Sequence, residues 1–170
     1  MNFTPHEFAE LYQEIYIDLY RYALYILRNA EDAADAVSDA VLDGFRQRGT
    51  LRERERFRQW MFAILANKCK HKCKEYAKRR AFEWTDQAEE GDDSTVDQLA
   101  DETVPDISRN VWIRELFYKL DVEEREILSL HLFAGYSSQE IGHYLGQPAG
   151  TIRSKEHRAL EKLRKEMGKS

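Results

Sequence analysis

Residues 137–165 read SSQEIGHYLGQPAGTIRSKEHRALEKLRK, and their pattern decides the fold. Ser137-Ser138-Gln139-Glu140 sets a hydroxyl three residues before a carboxylate, a capping box that starts a short helix ending at Leu145-Gly146. Gln147-Pro148 follows, and a longer helix runs from about Ala149 to Met167. A short helix, a tight turn and a longer helix make a helix-turn-helix. Ile141 and Leu145 can pack on Ile152, Gly142 removes bulk where the helices cross, and Gly146 permits the turn. Ile152, Ala159, Leu160, Leu163 and Met167 form the inward stripe of the second helix. Gly150, Ser154, His157 and Arg158 point the other way, with Thr151, Arg153 and Lys155 on the shoulders. An ordinary hairpin with a solvated basic face would show the same spacing. The polar outer face at the start of the second helix favours DNA: small residues allow deep groove entry, Arg pairs with guanine edges, and Ser or Thr reaches bases or phosphates.

The rest of the chain agrees with a helical protein. It has 170 residues, 42% hydrophobic and 34% charged, with only 8 Gly and 3 Pro. So few turn residues argue against a sandwich or barrel. The expected class is all-α: two small helical domains, 1–85 and 111–170, joined by an acidic flexible linker, 86–110. The net charge of −5 hides its distribution. Residues 86–110 carry one Arg and nine acids, while each flanking lobe is nearly neutral. Overall acidity is therefore no argument against nucleic-acid binding. No apolar run approaches about 18 residues, so no membrane insertion is expected. The N-terminus lacks a signal-peptide pattern, and Cys69 and Cys73 build no disulfide framework, so a cytoplasmic setting is expected.

In the first lobe, Thr4-Pro5-His6-Glu7 starts a helix whose apolar positions include Phe8, Ile15, Leu19, Tyr22 and Leu27. Asn29 caps a second helix, with Ala34, Val37, Val41 and Phe45 expected inward and Gly49 as its end. A third begins near Glu55, buries Phe57, Trp60, Met61, Ile64 and Leu65, and runs on through a lysine-rich stretch toward Trp84. The second lobe is expected to hold four helices. The first lies near 109–119, with Val111, Trp112, Leu116 and Leu120, and the next starts at Asp121-Val122-Glu123-Glu124.

Four ordered stretches then resemble region four of the extracytoplasmic-function sigma factors. They are 120–128 (Leu120-Asp121-Val122-Glu123-Glu124-Arg125-Glu126-Ile127-Leu128), 133–141 (Phe133-Ala134-Gly135-Tyr136-Ser137-Ser138-Gln139-Glu140-Ile141), 145–154, and His157-Arg158-Ala159-Leu160. Leu19-Tyr20-Arg21-Tyr22-Ala23, residues 32–39 (Asp32-Ala33-Ala34-Asp35-Ala36-Val37-Ser38-Asp39), and Phe57-Arg58-Gln59-Trp60-Met61-Phe62-Ala63-Ile64 with Asn67 resemble region two.

The resemblance implies a bacterial transcription initiation factor. It would bind core RNA polymerase, direct it to specific promoters and aid promoter melting, with no cofactor. It implies promoter DNA as a partner and allows for an anti-sigma factor. The implied upstream (minus-thirty-five) contacts are Ser138, Gly150, Thr151, Arg153, Ser154, Lys155, His157 and Arg158. Downstream (minus-ten) contacts are Arg58, Asn67, Lys68, His71 and Lys74. The polymerase surface is Asp32, Asp35, Ser38, Asp39 and Leu42, an acidic helix face suited to a basic partner. Ser38, Phe45, Asp43-Gly44 and His71 depart from the family's usual Gln, Trp, more basic pair and acidic residue. The alternative is a sigma-like helix-turn-helix regulator that never engages polymerase; a helical adaptor binding only protein would leave the last helix's outer face without a role. Cys69-x-His71-x-Cys73 lacks a fourth ligand and sits among lysines that repel a cation, so no metal is expected. No phosphate loop or hydrolase signature occurs, and no enzyme is expected.

Overall fold

The computed structural model describes residues 3–82 and 111–169. The expected linker, 86–110, and the continuation of the third helix toward Trp84 lie outside the described residues. These form α1 (Pro5–Leu27), α2 (Ala30–Gln47), α3 (Phe57–Phe82), α4 (Val111–Tyr118), α5 (Val122–Leu132), α6 (Ser138–Leu145) and α7 (Ala149–Gly168). Short 3-10 turns, Arg48–Thr50 and Arg54–Arg56, lie between α2 and α3. The described part contains no strand.

Local chemistry sets most helix ends. The Glu7 N–H donates to Thr4 Oγ1 at 3.2 Å, and the Thr4 N–H donates to Glu7 Oε2 at 2.9 Å, a complete capping box. Asn29 Oδ1 accepts the Asp32 N–H at 2.9 Å and starts α2. Between them Arg28 ends α1 in the left-handed region, φ 56°, a conformation that costs a side-chain-bearing residue about 1–2 kcal/mol. Asp121 with Glu124, and Ser137 with Glu140, form the boxes that open α5 and α6.

Lobe one is a three-helix bundle. Leu19, Tyr22, Met61, Phe62 and Leu65 are fully buried in it. Phe8 meets Phe45 and Phe57 edge-on at 5.5 and 5.3 Å, and Tyr22 meets Phe62 at 5.7 Å. The inward face of α2 differs from the expected one. Ala33, Ala36, Ala40 and Gly44 are buried, Ala34 is exposed, and Val41 and Phe45 are half-buried. A small-residue ridge lets α2 approach its neighbours closely. A Cβ at Gly44 would lie 2.6 Å from Met61 Sδ. Gly44 therefore serves packing, which accounts for a glycine inside a helix.

Lobe two packs α5, α6 and α7 around Ile127, Leu128, Leu130, Ile141, Ile152 and Ala159, all fully buried. Leu160 and Met167, expected inward, are 42% and 51% exposed, as is Trp112 at 51%. On α7 the rotation decides: Ala159 is buried and Leu163 packs on the core, which turns Leu160 to the flank, while Met167 lies in the last turn, where α7 meets its neighbours through the ion pair of Glu166 with Lys119.

The lobes touch. Tyr25 of α1 lies against Phe117 (ring centroids 4.9 Å) and Phe133 (5.5 Å), with Tyr118 edge-on at 6.5 Å. Arg58 Nη1 donates to the Phe133 carbonyl at 2.6 Å and to Asp18 Oδ2 at 3.0 Å. The Tyr136 hydroxyl donates to the Gln59 carbonyl at 2.7 Å, and the Arg28 guanidinium stands 4.4 Å from the Tyr118 ring centroid.

Candidate nucleic-acid interface

The helix-turn-helix is built as its residues require. Gly146 takes φ 68° at the end of α6, where a glycine meets no Cβ penalty. The Gln147 N–H donates to the Gly142 carbonyl at 2.8 Å. A Cβ on Gly142 would lie 2.5 Å from the Gln147 carbonyl oxygen, so only glycine fits the closed turn. Ile141 and Ile152 lock the two helices together from the inside.

The outer face of α7 presents Gly150, Thr151, Arg153, Ser154, His157 and Arg158, all exposed. Arg158 Nε makes a long 3.4 Å contact to the Ser154 carbonyl in its own helix. Arg153 and His157 form no side-chain hydrogen bond or ion pair among the described residues. Pro148, at the N-cap of α7, offers no side-chain acceptor. The first N–H groups of α7 therefore add a partial positive charge beside these cations. Ser138, in the first turn of α6, is half-buried.

Lys155 is set apart from this group. Its Nζ donates to Glu123 Oε2 and to Gln147 Oε1, both at 2.8 Å, and Gln147 Nε2 donates to Glu123 Oε1. The Lys155 and Gln147 bonds hold the Glu123 carboxyl below its ordinary pKa. The triad braces α5, the turn and α7 against one another. Lys155 is thus a strut of the motif, where the sequence placed it among the DNA contacts.

The downstream set is divided in the same way. Asn67, His71 and Lys74 are exposed, and their spacing along α3 puts them on one face. Lys68 turns to α2, where it pairs with Asp43 and, as the main cause, holds that carboxyl below its ordinary pKa. Arg58 has a different setting from these three. It stands at the contact between lobes, held by Asp18 and Phe133. Arg58, one residue into α3, turns toward α1, where Asp18 holds it. Cys69 and Cys73 also face away from His71: Cys69 is buried and Cys73 half-buried, while His71 is exposed. The three do not converge on a metal.

On α2, Asp35, Ser38, Asp39 and Leu42 are exposed, Leu42 by 49%. They share one face at spacings of three and four. Asp32 belongs to a different environment. It is half-buried and accepts the Tyr76 hydroxyl from α3. The acidic surface is therefore narrower than the sequence suggested and ends in an apolar residue. Sequence reasoning missed Tyr25, Tyr118 and Tyr136 as lobe-to-lobe contacts. Their partners lie about a hundred residues away, and no local pattern signals such pairing.

Residues 11–80 match the family model Sigma-70 region 2, and residues 116–165 match Sigma-70, region 4. The chain is 27% identical over 163 residues to the ECF RNA polymerase sigma factor SigM of Mycobacterium tuberculosis, covering 96% of this chain and 78% of that one. It is 28% identical to the RNA polymerase sigma factor CarQ of Myxococcus xanthus, covering 84% and 79%. Its fold is similar to that of the sigma factor RpoE of Bartonella quintana, solved with the anti-sigma factor NepR. That match has a TM-score of 0.69 at 18% identity, covering 94% of this chain and 95% of that one.

Proposed function

The chain belongs to the sigma-70 family, in its extracytoplasmic-function group, and on that footing we propose that it binds core RNA polymerase, directs it to specific promoters and aids their melting. Polymerase engages the α2 face through Asp35, Ser38, Asp39 and Leu42, with a basic surface opposite the carboxylates. The minus-thirty-five element meets Gly150, Thr151, Arg153, Ser154, His157 and Arg158. The minus-ten element meets Asn67, His71 and Lys74, where cations neutralise phosphate and the amide or imidazole receives an unstacked base. The chain works without catalysis of its own and without a cofactor, in the cytoplasm alongside polymerase. An anti-sigma factor is a partner of the kind the family employs. Among the described residues no helix is long and apolar enough to cross a membrane, which fits this setting.

The observation that carries the reading is the division of α7. Ile152 and Ala159 are fully buried, while six polar or small residues face outward with two cations among them. Transcription with purified core polymerase and a promoter library tests it. Transcripts from a subset of promoters, appearing only when the chain is added, are the expected result. No selective transcript and no co-purification with core polymerase would sink it.

A further inference from the structure

We propose that His131 is a positioning residue for promoter reading that acts with both ring nitrogens protonated: its imidazolium occupies Glu156, and so keeps a carboxylate of α7 away from Arg153 and from DNA phosphate. Promoter binding then weakens as pH rises and the second ring proton leaves. This role rests on the reading of α7 as the helix that meets the upstream element; the state of the His131 ring rests on geometry alone. The ring stands between two acceptors. His131 Nδ1 lies 3.1 Å from the Tyr136 carbonyl oxygen, and a carbonyl only accepts, so Nδ1 is the donor. Nε2 lies 3.4 Å from Glu156 Oε1. With one proton on the ring, Nε2 would turn a lone pair toward a carboxylate. With two, both contacts attract. A third influence has the same sign: His131 sits in the last turn of α5, where the helix dipole favours a cation. The Glu156 side chain is 13% exposed and that of His131 46%, so the carboxylate has little water to replace its partner.

The other charged groups around this pair are committed elsewhere. Lys155 of α7 is held by Glu123 and Gln147, and Lys162 by Glu124. Glu140 of α6 closes its capping box with Ser137, and the Tyr136 hydroxyl donates to the Gln59 carbonyl of lobe one. Arg58 of α3 is taken by Asp18 and the Phe133 carbonyl. Two groups on α7 itself remain, Arg153 and His157, both exposed beside Glu156. Arg153 precedes Glu156 by three residues, a spacing at which helical side chains meet. A neutral His131 therefore leaves Glu156 with Arg153 as its nearest uncommitted cation. It also leaves one uncompensated negative charge on the helix that approaches phosphate. Histidine is the side chain whose charge changes between about pH 5 and 8. A bond that only the imidazolium makes is present at the acid end of that range and is lost toward the alkaline end.

The test uses the full chain with His131→Lys, which fixes the positive charge, and Glu156→Gln, which removes the carboxylate that needs it. Two measurements are made. In the free chain, the His131 ring nitrogens are followed by NMR against pH in wild type and Glu156→Gln. Both nitrogens should keep their protons to a higher pH in wild type. In holoenzyme assembled from the full chain and core polymerase, affinity for one promoter transcribed from the library above is measured at about pH 6 and about pH 8. Over that interval wild type should lose about threefold more affinity than either variant, the size of a half-exposed ion pair. Polymerase and His157 are the same in all three forms, so their own titration drops out of the comparison. A merely structural His131 would shift affinity equally at both pH values and leave the profile unchanged. Identical ring titration in wild type and Glu156→Gln overturns the ion pair. Identical pH profiles in all three holoenzymes overturn the role in promoter reading. If His131→Lys fails to fold, Glu156→Gln decides alone. If no form assembles with polymerase, the sigma-factor reading fails instead, and the ring titration still decides the pair.

Discussion

Gly142→Ala isolates the turn of the helix-turn-helix in one methyl group. The added Cβ meets the Gln147 carbonyl oxygen at 2.5 Å, and the Ala149 nitrogen lies at 3.4 Å. Both are backbone atoms of the turn, so neither can swing aside as a side chain would. Overpacking of this kind costs about 1–3 kcal/mol. The backbone obstacle puts it near the upper end. Alanine recovers about 0.8–1 kcal/mol of helix propensity over glycine, leaving a net loss of about 2 kcal/mol. For a lobe of some 60 residues each kcal/mol moves the melting temperature by about 4–8 °C, so lobe two should melt roughly 10 °C lower. Two other glycines serve as controls. Gly44→Ala meets the flexible end of Met61 at 2.6 Å, and its strain and propensity terms should cancel to within about 0.5 kcal/mol. Gly150→Ala meets nothing within 4 Å and should stabilise by a few tenths up to about 1 kcal/mol. The assay is thermal and urea unfolding followed by circular dichroism. If Gly142→Ala is as stable as Gly150→Ala, the close approach at the turn is not the reason for glycine there.

Reversing Asp35 and Asp39 to Lys should abolish most core-polymerase binding with helicity unchanged, measured by co-purification, whereas Asp43→Asn should cost little binding because Asp43 already pairs with Lys68. Arg153→Ala and Arg158→Ala should each weaken promoter binding by about 1–3 kcal/mol where a base edge is lost, or flatten the salt slope by about 1 where a phosphate is lost. Lys155→Ala should instead lower the melting temperature and leave promoter selectivity alone, read by competition binding on a sequence library. The contact between the lobes should tighten as pH falls. Burial, helped by Glu123 and opposed by Lys70, raises the Glu126 pKa; Tyr22 of α1, Cys69 and Cys73 of α3, Arg125 beside it, and Tyr144 of α6 share that environment. A carboxyl whose pKa is raised where the lobes meet favours their contact when protonated. The gain grows as pH drops through the raised value and is complete below about 4.5. Glu126→Gln should remove this dependence in scattering measured as a function of pH. Glu123, lowered by Lys155 and Gln147, belongs to the brace inside lobe two, and its contribution to that lobe's stability is lost below 4.5, as pH falls through its own depressed value.

Helix starts were legible because they are local. Thr4, Asn29, Asp121 and Ser137 each act on a backbone N–H three residues on, and that relation is visible in a string of letters. The turn chemistry of Gly142 and Gly146 was legible for the same reason. The rotation of α2 was not. Its sequence holds Ala30, Ala33, Ala34, Ala36 and Ala40, so more than one face is small enough to pack, and the choice depends on the shape of Met61 and Phe8 opposite Gly44. The exposure of Leu160, between buried Ala159 and half-buried Leu163, depends on the exact rotation of α7 against α5 and α6, and several apolar positions of its sequence fit more than one rotation. Site residues divide along the same line. Residue spacing pointed to the outer face of α7, and the family resemblance pointed to those of α2 and α3. Only three-dimensional neighbours separate Lys155, Lys68, Arg58 and Asp32, which are held by partners, from residues that point outward.

The Glu123–Gln147–Lys155 brace gives the protein a division of labour useful to an engineer. Because the strut and the buried Ile152 and Ala159 hold α7 in place, the outward positions 150, 151, 153, 154, 157 and 158 take no part in assembling the lobe. Those six positions can be randomised as a cassette to retarget promoter choice, and the resulting library should fold at nearly constant yield. A library that also varied position 155 would lose folded members and confuse altered specificity with collapse of the scaffold.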